Sequence, residues 1–225
     1  MFPGRILDVT PHDIVLWKPP GLASELPRDP AAASVVTALR AEGFSDVRLV
    51  HRLDTPACGL MLVARTAEAA AYYSAEIAAR RWHKVYVAEV ACRAGRLDAL
   101  VGEHKAYIAT RGRRAELVRA GGKPSFLTVV HASPIDRGAG DRAHVVIRLH
   151  TGRFHQIRVM MAGLGAPLVG DTLYGGPAGS FYLEHVLLGA RPFGAEETRV
   201  WRAPVDVDRP AWSAELARVI SALEA

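Results

Sequence analysis

Two segments of the 225-residue chain concentrate side chains that could do chemistry: HRLDTPACG, from His51 to Gly59, and HTGRFHQIRVMMAGLGAPLVGDTLYGG, from His150 to Gly176. Both set carboxylate, imidazole or guanidinium groups among turn-forming residues. Asp54 follows an apolar stretch and precedes Thr55-Pro56, which puts it on a loop leaving a strand, where a rigid sheet can hold a reactive group. Read from the residues alone, the initiation of a turn is the stronger reading of Asp54. Neither segment matches a phosphate loop, a dinucleotide fingerprint, a nucleophile elbow or a zincin helix. His51, His150 and His155 match no helical ligand pair and have no acidic cluster beside them, so no metal is expected and they read as hydrogen-bonding groups. A cysteine hydrolase using Cys58 with His51 would span the Thr55-Pro56 turn without a recognised nucleophile motif.

The elements that must hold these segments are legible in outline. Short strands are expected at Ile6 to Val9 and Ile14 to Trp17, stopped by Pro19-Pro20-Gly21. A helix follows, with Asp29 as cap, Pro30 in its first turn, Val35, Val36 and Leu39 on its apolar face and Gly43 at its end. Gly59 to Ala64 reads as a strand, and an Ala-rich helix capped by Thr66, with Glu68 in its first turn, runs to about Arg81. KVYVAEV alternates as a strand, and further strands are expected at Phe126 to His131 and Ala143 to Leu149. Thr151 or Gly152 opens a helix with Ile157, Met160, Met161 and Leu164 on one face, ended by Gly165. A last helix starts near Ser213 and buries Leu216, Val219, Ile220 and Leu223. Strands and helices interleave without strict alternation, so an α+β fold with a mixed sheet is expected.

Composition narrows the class further. Half the residues are hydrophobic and 23% are charged, which argues against disorder. The first residues, MFPGRILDVTPHD, lack the uninterrupted apolar stretch of a secretory signal, and no run approaches a membrane span. With only Cys58 and Cys92, a reduced, cytoplasmic protein without membrane association is expected. The net charge is +5, but Arg80 to Lys123 holds eleven basic and four acidic residues, a local +7, so the remainder sums to −2. Such a localised excess suits a phosphate-tracking surface, or a solvated face.

HRLD with Gly59 five residues on, then TGRFHQIR and PLVGDTLYG, closely resembles the RluA-type family of RNA pseudouridine synthases. The likeness extends to WKPPGL (Trp17 to Leu22), the Lys84-Val85-Tyr86 strand and KPSFLTVV (Lys123 to Val130), all in order at compatible spacings. It departs from the family where Ala57-Cys58 stands for the usual Thr-Ser, where Thr55-Pro56 is unusual, and where Phe154 replaces a customary Thr.

The resemblance implies a pseudouridine synthase fold: a central mixed or largely antiparallel sheet flanked by helices, with an RNA cleft across it. It implies isomerisation of uridine to pseudouridine within RNA. Asp54 is then the catalytic aspartate, Tyr86 the active-site tyrosine and Arg158 the arginine that pairs with the aspartate. The rearrangement adds no atom overall, so neither cofactor nor metal is implied. One carboxylate can either attack the sugar carbon or remove a sugar proton, whereas a hydrolytic glycosidase needs two. Arg52 is expected to fill the space left by a flipped base, and Ile157 to pack against that base. Lys84, Arg153, Arg111, Arg113 and Arg114 are expected to bind the RNA, a tRNA or rRNA stem-loop, with no obligate protein partner. Only about 50 residues precede His51, and they already carry matched segments, so a single catalytic domain without a separate N-terminal RNA-binding domain is expected. A protein of the same fold that binds or helps fold RNA with little activity is the remaining alternative.

Overall fold

A computed structural model describes residues 2–26, 32–135 and 141–223. In chain order the elements are β1 (Arg5–Val9), β2 (Asp13–Lys18), α1 (Val35–Ala41), β3 (Arg48–Leu49), β4 (Cys58–Ala64), α2 (Ala67–Ala78), β5 (His83–Ala91), β6 (Gly102–Arg111), β7 (Arg114–Val118), β8 (Lys123–Pro134), β9 (Arg142–Leu149), α3 (Gln156–Gly163), β10 (Leu183–Ala190), β11 (Arg199–Arg202) and α4 (Ala214–Ala222). They fall into two compact units: Met1–His83 with Glu184–Val207, and Lys84–Leu183 with Asp208–Ala225. Among the described residues no helix is long and apolar enough to cross a membrane.

In the first unit, β2 pairs antiparallel with β1 and β4, β10 runs parallel to β4, and β11 and β3 add antiparallel to β10 and β4. Every residue of β2, β4 and β10 is buried, which accounts for their near-continuous apolar character. The polar exceptions Glu184 and His185 each make a hydrogen bond. Trp17 Nε1 donates to Glu184 at 3.0 Å, and His185 Nδ1 lies 2.7 Å from the Leu60 carbonyl. Thr66 caps α2 as expected, but the helix ends at Ala78 because Arg80 adopts φ of 58°, a left-handed turn that cannot continue it. Ser34 caps α1 in a reciprocal capping box with Thr37, and Asp29 and Pro30, expected there, lie outside the described residues.

The second unit is an antiparallel sheet in the order β5-β9-β8-β6-β7. Its β6–β7 hairpin closes on Gly112 and Arg113, with Gly112 at φ of 59°. The sequence showed this region only as positive charge. Helix α3 starts later than expected: its cap is His155, in the left-handed region, not Thr151 or Gly152. Thr151 is occupied elsewhere, since its Oγ1 accepts from the Phe126 N–H at 2.9 Å and donates to Gln156 Oε1 at 2.8 Å. Ile157, Met160 and Met161 are buried, as the spacing predicts. Ser213 caps α4, which buries Leu216 and Ile220 fully and Val219 only in part.

Candidate functional site

In the first unit, Asp54 is half-buried on the loop between β3 and β4, and the WKPPGL segment with Ala23-Ser24 holds the residues on either side of it. Ser24 Oγ donates to the Leu53 carbonyl at 2.7 Å and accepts the Leu53 N–H at 3.1 Å. On the other side the Thr55 carbonyl accepts from the Gly21 N–H at 2.8 Å and from Lys18 Nζ at 3.3 Å. The Asp54 carbonyl then closes a turn by accepting from Ala57 N–H at 3.0 Å. The carboxylate is thus carried by a backbone fixed at both flanks, the arrangement a positioned catalytic group requires.

Lys18 is the centre of that support. Fully buried, it donates to the carbonyls of Pro19 at 2.9 Å and Leu22 at 2.8 Å as well as Thr55. Burial pushes its ammonium down to about 8, against the attraction of Cys58 and Asp54. Gly59 ends the motif for a steric reason: its φ is +116°, and a Cβ there would lie 2.4 Å from the His185 backbone nitrogen. His51 serves the fold, its Nε2 accepting from the Leu62 N–H at 2.9 Å. Arg52 is exposed and pairs with Glu25 at 2.8 Å.

The second unit carries the other expected residues. Tyr86 and Lys84, two apart on β5, project to one face of the strand, and both are buried. Burial pushes the Lys84 ammonium down to about 8. No hydrogen bond or ion pair joins the Lys84 side chain to another described residue, and its Nζ lies 3.7 Å from where a Cβ on Gly152 would stand. Next to Gly152, Arg153 is half-buried and its Nε donates to the Pro124 carbonyl at 3.4 Å. Ile157 is buried on α3 beside Arg158.

Arg158 itself is buried, and its Nε and Nη2 donate to the two oxygens of Asp171 at 2.7 and 2.8 Å. The rings of Tyr174 and Phe181 stand 5.1 and 5.6 Å from its guanidinium carbon. Tyr174 also accepts the Ala115 N–H at 2.8 Å and lies 2.9 Å from His155 Nδ1, and burial pushes its phenol up. Arg114, on the basic hairpin, stacks on the same ring at 5.4 Å. Arg111 and Arg113 are exposed at the hairpin tip, Arg111 paired with Glu116 at 3.2 Å. Residue by residue, the sequence missed the work of Lys18, Ser24, Asp171 and Tyr174. Three of them were in view as letters of the WKPPGL and PLVGDTLYG motifs, but with no role attached.

Residues 12–163 match the family model for RNA pseudouridylate synthase, a span containing Asp54, Tyr86 and Arg158. The chain belongs to that family. The ribosomal large subunit pseudouridine synthase D of Xanthomonas campestris is 36% identical over 187 residues, covering 77% of this chain and 52% of that protein. Its counterpart in Pseudomonas aeruginosa is 38% identical over 131 residues, 57% of this chain and 38% of that protein. The chain therefore spans about half the length of these relatives, or less. The dual-specificity RNA pseudouridine synthase RluA of Vibrio parahaemolyticus is 30% identical, with 80% and 72% of the two chains covered. The solved structure of Human RNA Pseudouridylate Synthase Domain Containing 1 aligns with a TM-score of 0.72 at 22% identity, covering 100% of this chain and 96% of that chain. This last likeness establishes the fold alone, an α+β pseudouridine synthase fold as the motifs implied.

Proposed function

We propose that this chain isomerises uridine to pseudouridine in structured RNA, with Asp54 as the catalytic carboxylate and Tyr86 and Arg158 as its partners in the chemistry. The observation that carries the reading is the family match across residues 12–163, which contains all three. The bond from the uracil nitrogen to the ribose breaks, the base turns, and its carbon 5 bonds to the same sugar carbon. The proton lost from carbon 5 is balanced by one gained at the nitrogen. Because the atoms balance without an added group, a single carboxylate acting at the sugar suffices where water is kept out. The bonds that fix the backbone at Leu53 and Thr55 support Asp54 in that role. By the family pattern Tyr86 supplies a ring for the base and a phenol for the proton at carbon 5, and Arg158 a guanidinium for the charge that develops in the reaction.

For RNA binding the reading assigns Lys84 an inward role. A buried ammonium with no side-chain partner among the described residues is costly, and an anionic or carbonyl oxygen of the target nucleotide would satisfy it. Ile157 packs against the flipped base, and Arg153 and the hairpin arginines Arg111, Arg113 and Arg114 follow the phosphates. The substrate is a tRNA or rRNA stem-loop, because a base must be splayed out of its stack to be reached.

Release of tritium from RNA labelled at uracil carbon 5 tests the assignment. The native chain should release it, and Asp54→Asn should lower the rate by about 10⁴-fold or more, the scale on which loss of a central catalytic group acts. Release that survives this substitution, or that depends on Cys58 instead, sinks the reading. Arg52→Ala should reduce turnover on folded RNA about tenfold more than on an unstructured oligonucleotide, since unstacking is needed only in the former. Equal losses on the two substrates would remove Arg52 from base flipping.

A further inference from the structure

A buried two-point ion pair in the second unit is not one the motifs predict. Arg158 and Asp171 are joined by two parallel bonds of 2.7 and 2.8 Å, and their side chains are only 8% and 1% exposed. A two-point bond fixes the plane of a guanidinium as well as its position, which a single contact or a lysine does not do. Tyr174 and Phe181 bring ring faces to the same group. Asp171 takes the Nε–Nη2 edge, so it decides where the remaining Nη1 side points.

Asp171 is itself immobilised before any substrate is considered. Its N–H donates to the Leu168 carbonyl at 3.2 Å, and its carbonyl accepts from Tyr174 N–H at 3.1 Å and Gly176 N–H at 2.9 Å. A Cβ on Gly176 would stand 1.9 Å from the Leu168 oxygen, so this turn closes only with glycine there. The Tyr174 phenol further ties the turn to β7 through Ala115. The GDTLYG segment, from Gly170 to Gly175, therefore presents one carboxylate from a rigid support to one guanidinium.

We infer that Asp171 is a positioning residue for the isomerisation, setting the orientation of Arg158 before RNA arrives. This rests on the synthase reading above. A buried ion pair of this kind is weak evidence of added stability, since hydrophobic replacements are often neutral or better. Its value here is geometric, because a displacement of about 1 Å in a catalytic group costs on the order of 100-fold in rate.

Single-turnover tritium release separates this role from a structural one, because the amplitude reports the fraction of active molecules and the rate reports the chemistry. Asp171→Asn should lower the rate about 100-fold, with the amplitude and the RNA dissociation constant held within about twofold. In an Arg158→Lys background, where the two-point bond is already lost, the same change should add less than about threefold. Should Asp171→Asn prove insoluble, Asp171→Glu, which keeps the charge but displaces it by one methylene, should show the same drop in rate at full amplitude. A reduced amplitude with an unchanged rate, or full additivity with Arg158→Lys, overturns the inference and leaves Asp171 as a fold residue. A native chain that releases no tritium from any RNA overturns the synthase reading instead, and this inference with it.

Discussion

The first unit buries Lys18 and the second buries Lys84, and burial pushes each ammonium down to about 8. Their surroundings differ. Lys18 is wholly inaccessible and reaches three carbonyls, two in its own strand's continuation and one beside Asp54. Lys84 retains 6% exposure, shares a strand face with Tyr86, and its side chain bonds to no described residue. A buried cation that the fold satisfies is part of the framework. One whose side chain meets no partner among the described residues is open to a ligand that completes it.

Substitution by methionine should break or sharpen this contrast most strongly. Lys18→Met removes a charge but strands the Pro19 and Leu22 carbonyls, and urea unfolding at pH 7 should show a net loss of about 2 kcal/mol. Lys84→Met removes a desolvated charge and strands nothing, so stability should rise by about 2 kcal/mol while turnover falls. Two losses of similar size would mean that the lysines do the same job.

The next effect is on pH. Below pH 8 both lysines are protonated in the folded and the unfolded chain, and the folded state bears the full cost of burying them. Between pH 8 and 10.5 the folded chain releases protons that the unfolded chain still holds, so stability rises with pH. Each lysine contributes about 1.4 kcal/mol per pH unit across that window. Denaturation series from pH 7 to 10 should show this slope, with either single methionine variant halving it. RNA binding separates the two: affinity should fall as pH rises through 8, because the oxygen-binding form of Lys84 is the protonated one. Only Lys84→Met should abolish that fall.

The smallest effect concerns surface rather than buried charge in the second unit. Replacing Arg111, Arg113 and Arg114 together with glutamine should lower the slope of log affinity against log salt by about 2, at roughly 0.7 to 0.9 for each phosphate no longer neutralised. The expectation falls short of three full phosphates because Arg111 already pairs with Glu116 and Arg114 stacks on Tyr174. The rate at saturating RNA should be unchanged. An unaltered salt slope would return this hairpin to being solvated surface.

Much of the scaffold was legible because its causes are local. The apolar runs of β2 and β4, the caps at Thr66 and Ser213 and the stop at Gly43 depend on neighbours within a few residues. What was missed depends on distant ones. β10 was hidden by Glu184 and His185, whose burial makes sense only once Trp17 and the Leu60 carbonyl receive them. The start of α3 was misplaced because Thr151 is claimed by β8 and His155 lies against Tyr174, 19 residues on. The β6–β7 hairpin was masked by the exposed polar residues along its strands.

For the candidate site the division is similar. The sequence by itself determined which residue types stand at which spacings, and hence the family to which the chain belongs, along with the concentration of charge between Arg80 and Lys123. It showed that Asp54 precedes a turn and that Lys84 and Tyr86 share a strand face. Only the tertiary structure decided which ionic groups are partnered: that Lys18 braces the Asp54 loop, that Arg158 is gripped by Asp171, and that Lys84 is buried with no partner among the described residues. The physical reason is one of range. Turn, cap and strand preferences are settled by adjacent residues, whereas desolvation and the satisfaction of buried charge depend on groups that only folding brings together.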